Sequence, residues 1–80
     1  MIKGTEINFT KDYSSSKVLS AMSCTNKGND QMEMILTMTD GSVYSIEGDG
    51  YDIREYETYI KSDEDSIDFA YSNLSIKRIR

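Results

Sequence analysis

Nine of the fourteen carboxylates in this 80-residue chain fall within 22 positions: Glu47, Asp49, Asp52, Glu55, Glu57, Asp63, Glu64, Asp65 and Asp68. Only Arg54 and Lys61 oppose them, which gives the stretch a net charge of −7 in a chain whose total is −5. Tyr51, Tyr56 and Tyr59 lie among these acids. Two carboxylates are all that a glycosidase or a magnesium enzyme needs. Carboxylates on a small rigid scaffold can also stand in for a row of phosphates in a groove built for nucleic acid, and tyrosine is a residue that protein interfaces use as an anchor. The competing role for the same residues is plainer: a solvated face, with the tyrosines as packing.

The residue types missing from the chain narrow the chemistry. Histidine is absent, which removes the usual general base and the usual metal ligand. Cys24, the only cysteine, has no histidine partner and no cluster of positive charge to activate it, so it reads as a small core residue. Asp63 to Asp68 places Ile67 where a calcium loop of the EF-hand type needs an oxygen. Gly48-Asp49-Gly50 puts an aspartate where a phosphate cradle needs neutral backbone, and reads as a tight turn. No catalytic residue, metal site or cofactor is therefore expected. The basic tail Lys77, Arg78 and Arg80 is too small against the overall negative charge to suggest direct nucleic-acid binding.

Asp40-Gly41 predicts a two-residue type I′ turn, pairing Thr37 with Tyr44 and Ile35 with Ile46 and leaving apolar groups on both faces of a central hairpin covered on two sides. Met32, Met34 and Met38 alternate along it and read as core filler. Thr5, Ile7 and Phe9 predict one earlier strand and Lys17 to Cys24 another, with a polar turn over residues 26–30, so the first half reads as a meander of four short strands. Ile53, Tyr56 and Ile60 recur at helical spacing, with Asp49 or Asp52 available as cap and Asp52 with Glu55 resembling a capping box. For residues 63–72 a strand through Ile67, Phe69 and Tyr71, turning at Ser72-Asn73 into a return strand through Leu74 and Ile76, competes with a helix; the hairpin is favoured.

The expected fold class is α+β: one domain over residues 1–80, with a mainly antiparallel sheet of about five to six short strands and one short helix packed on a face. A chain this short supports only a thin core. With one cysteine, no secretory leader and no long apolar run, the expected compartment is the cytoplasm. A short, histidine-free, acidic α+β domain resembles the small inhibitors that phages and other mobile elements make against nucleic-acid machinery, including anti-CRISPR proteins and DNA mimics. That resemblance implies a non-enzymatic inhibitor or regulator whose partner is a larger protein with a basic, nucleic-acid-binding groove. The expected contact surface comprises the nine acids named above with Tyr56 and Tyr59. The expected state is a monomer or homodimer; the alternatives are a structural or assembly protein that self-associates through an exposed strand edge or the methionine face, the acids serving solubility, and an enzyme using a carboxylate pair with a divalent ion.

Overall fold

A computed structural model describes residues 4–9, 17–62, 64–69 and 74–80. Its elements are β1 (Glu6–Asn8), β2 (Lys17–Gly28), β3 (Gln31–Met38), β4 (Val43–Asp49), α1 (Gly50–Lys61), β5 (Ser66–Asp68) and β6 (Ser75–Arg78). The strands form one curled sheet in the order β5-β1-β2-β3-β4-β6, parallel only between β1 and β5. With its single described helix this is the α+β fold expected from the sequence, and β1 to β4 do pair in chain order.

The last two strands do not form the expected hairpin. After β4, α1 carries the chain across one face of the sheet, and β5 then lies parallel to β1 at the far edge, while β6 returns to pair with β4 at the other. Physically, β1 has an edge to satisfy. The Glu6 amide donates to the Asp65 carbonyl (3.0 Å), the Phe69 amide donates to the Asn8 carbonyl (2.9 Å), and Thr5 Oγ1 donates to the Glu64 carbonyl (2.9 Å). Ile67 thereby comes beside Ile7, and both are buried. The strand alternative for Ile67 is the one adopted; Tyr71 and the Ser72-Asn73 turn lie outside the described residues.

The central hairpin is shifted by one residue from the expected register. Thr37 pairs with Val43, Leu36 with Tyr44 and Met34 with Ile46, across a three-residue loop of Thr39, Asp40 and Gly41. Only Gly41 takes a positive φ (92°), and its amide donates to the Met38 carbonyl (3.1 Å), a type I turn followed by a bulge residue. Asp40 does not occupy the left-handed region because its carboxylate holds the loop from outside, accepting from the Ser42 amide (2.9 Å), Ser42 Oγ (2.6 Å) and Lys17 Nζ (2.7 Å). Those bonds, Lys17 foremost, keep Asp40 ionised well below the usual carboxylate range. The type I′ turn sits instead at Asn29 and Asp30, whose φ values are 52° and 62°, so β2 runs on past Cys24 to Gly28.

A one-residue shift exchanges the faces of a strand. Met32, Met34, Leu36, Met38 and Ile46 all point to the inner face and are buried with Ile7, Leu19, Ile53, Ile60, Ile67 and Phe69. Ile35, Thr37 and Val43 share the outer face and stay half-exposed, so the hairpin is not covered on two sides as expected. The methionines are core, each fully enclosed one contributing about 1.5–3 kcal/mol of burial. Gly48 and Asp49 are the end of β4 and not a separate turn; an added Cβ at Gly48 would meet the side chain of Leu74. Asp49 alone caps α1, accepting from the Tyr51 amide (2.8 Å), so the Asp52–Glu55 box is not used. The Gly50 amide is tied to the Asp30 carbonyl (2.7 Å), which fixes where the helix leaves the sheet.

Candidate functional site

Asp52, Glu55, Tyr56 and Tyr59 follow one another at intervals that place them on one stripe of α1. Ile53 and Ile60 occupy the buried stripe, so the acidic stripe flanks the contact with the sheet. From there a file of five aromatic rings runs into the molecule. Tyr59 meets Tyr56 edge to face (5.8 Å, 90°), Tyr56 stacks on Phe69 (4.5 Å), Phe69 lies near Phe9 (6.2 Å), and Phe9 stacks on Tyr44 (4.3 Å). The file runs from Tyr44 on β4 through Phe9, which follows β1, and Phe69, which follows β5, to the helix.

At the surface end, Tyr56 and Tyr59 form one side of a cleft of about 310 Å³ whose other side is Glu64, Ser66, Ile67 and Asp68 along β5. Tyr59 Oη donates to Glu55 Oε1 (2.7 Å), which fixes the outermost ring. Both phenols are shifted above their ordinary pKa. For Tyr56 burial is the main cause, followed by the negative charges of Glu55, Asp52 and Asp68; for Tyr59 it is the hydrogen bond to Glu55, with Glu64 among the further contributors. The carboxylates of Asp52, Glu55, Glu64 and Asp68 therefore surround a pair of rings. Among the described residues, Asp52, Glu55 and Glu64 have no cation within ion-pair distance.

The rest of the expected surface lies elsewhere. Glu47 points to the outer face of the sheet beside Glu33, the face α1 does not touch. Asp49 is occupied as the helix cap. Glu57 lies on the other flank of α1, where it pairs with Lys61 (3.5 Å) and approaches Cys24. Asp65 is exposed beside β5 and does not line the cleft, and Asp63 lies outside the described residues. Cys24 is half-buried and not enclosed as expected; burial, then the hydrogen bond to Glu57 and its charge, push its thiol up to about 11, leaving no reactive thiolate at neutral pH.

Ser66, Ile67 and Phe69 belong to the site and were not among its expected residues. The alternation of Ile67 and Phe69 marks a strand, but nothing local places that strand beside the helix. A larger hollow of about 410 Å³ at the start of α1 mixes Arg54 with Asp30 and Asp49, and no pair of rings frames it. Among the described residues no three Cys, Asp or Glu side chains converge as metal ligands, and no helix is long and apolar enough to cross a membrane. Fold and cleft together describe a small α+β protein with an acidic, aromatic-lined face. Comparison with family models, curated proteins and solved structures finds no match.

Proposed function

We propose that this protein is a non-catalytic inhibitor or regulator that docks the face formed by α1 and β5 on a basic groove of a larger protein, one that otherwise receives nucleic acid. The observation that carries this reading is the gathering of Asp52, Glu55, Glu64 and Asp68 around two tyrosines that the core holds in place. Such a surface steers a basic partner by charge and offers it rigid amphipathic anchors that lose little freedom on binding. Reversing Asp52, Glu55 and Glu64 to lysine in a variant that keeps the wild-type circular dichroism should abolish capture of the partner at low salt. In the wild type, capture should weaken as salt rises, and duplex DNA or RNA should compete. Unchanged capture by the reversed variant overturns the reading.

A second reading, self-assembly through strand edges, draws support from the charges at the two ends of the sheet. Glu64 and Asp65 stand beside β5, while Lys77, Arg78 and Arg80 stand on and beside β6, so the edges of two copies are complementary head to tail. Light scattering decides between the two: concentration-dependent growth at low salt that disappears in 1 M salt favours assembly, and a monomer throughout removes it.

A further inference from the structure

The cleft between the tyrosine rings and β5 has a shape and a chemistry more specific than negative charge. We propose that it receives a single arginine side chain from a basic segment of the partner; this deepens the docking reading and rests on it. The cleft is lined by the edge-to-face pair of Tyr56 and Tyr59 and, facing the helix, by Glu64, Ser66, buried Ile67 and Asp68.

Each feature selects among occupants. An aromatic face attracts a cation through its quadrupole and excludes an anion, the more so with carboxylates beside it. A metal ion needs converging oxygen ligands, which the described residues do not supply. A purely apolar anchor would bury Glu64 without a counter-charge. Guanidinium satisfies both sides at once, because its plane stacks on a ring while its N–H fork bonds a carboxylate, whereas a lysine ammonium has no flat face and holds its water more tightly. The rings are also set in advance. Tyr56 is stacked on Phe69, and Tyr59 is tethered to Glu55, so little ordering is left to occur on binding.

The test is an NMR titration of the full chain with N-acetyl-arginine methylamide, alongside its lysine and citrulline counterparts. Saturable shifts confined to Tyr56, Tyr59, Ser66 and Ile67 are expected with arginine, with lysine severalfold weaker and neutral citrulline without effect. Tyr59→Leu and Glu64→Gln, both at exposed positions, should each weaken the arginine response severalfold, and Glu47→Gln on the opposite face should not. Equal responses to arginine and lysine, shifts spread over the Glu47 face, or no saturable shift would each overturn the arginine site. None of these touches the docking proposal, which stands or falls on salt sensitivity and charge reversal. Conversely, arginine binding in the cleft together with partner capture by the reversed variant would keep the site and remove the docking reading.

Discussion

The helix–β5 face and the outer face of the sheet are both acidic, and they differ in what surrounds the acids. On the outer face Glu33 accepts a hydrogen bond from Ser45 Oγ (2.7 Å) and lies 4.0 Å from Lys27, so its charge is answered within the chain. On the helix–β5 face Asp52, Glu55 and Glu64 surround aromatic rings instead, and Glu55 accepts from the neutral Tyr59 hydroxyl. A carboxylate answered by a lysine adds solubility and little else. Carboxylates that no described cation answers keep their field for something that arrives.

The largest effect that can test this contrast comes from Phe69, which stands under Tyr56 in the core. Phe69→Ala should cost about 3–5 kcal/mol in urea unfolding and disperse the ring shifts of Tyr56 and Tyr59, while Ile35→Ala on the half-exposed outer face should cost clearly less. Equal costs would erase the difference between the faces. Next comes the helix start: Asp49→Ala should lose about 0.5–2 kcal/mol through the missing cap, and Asp52→Ala should lose none of that cap contribution while reducing the field at the cleft.

Cys24 marks the flank of α1 where Glu57 turns away from the cleft. Its alkylation by iodoacetamide should reach half-maximal rate near pH 11, and Glu57→Gln should move that midpoint down. Because the folded pKa lies above the unfolded one, the folded state holds the extra proton in between. Stability from this group is therefore complete below about pH 9 and is lost as the pH rises towards about 11, which Cys24→Ala should remove from the alkaline limb of a pH–stability profile. The smallest effect belongs to the Glu57–Lys61 pair, where Lys61→Met should cost only about 0.2–0.5 kcal/mol and leave the cleft unchanged.

What depended on short-range pattern was legible in the chain. The spacing of Ile53, Tyr56 and Ile60 marked the helix, and the alternation of Met32, Met34, Leu36 and Met38 marked a core strand. Asp40-Gly41 marked a turn, but the dipeptide does not state how many residues share the loop, and the bonds Asp40 makes to Ser42 and Lys17 favour three over two. That single residue decided which side chains face inward. The acidic run looked continuous because sequence distance hides direction: strand alternation sent Glu47 to the far face, the cap took Asp49, and the helical turn took Glu57 round to Cys24. The pairing of β5 with β1 joins residues such as Thr5 and Glu64, 59 positions apart, and no local signal encodes it.

That same long-range pairing sets an order of assembly. The hairpins of β2, β3 and β4 close across neighbouring residues, so they can form early and at small entropic cost. During synthesis β1 emerges long before β5, and until residues 64–69 follow, one of its edges stays open and the cleft has a single wall. The surface proposed to meet the partner thus closes only after the central hairpins, and a nascent chain stopped short of β5 would carry the acids of the helix without a place to present them.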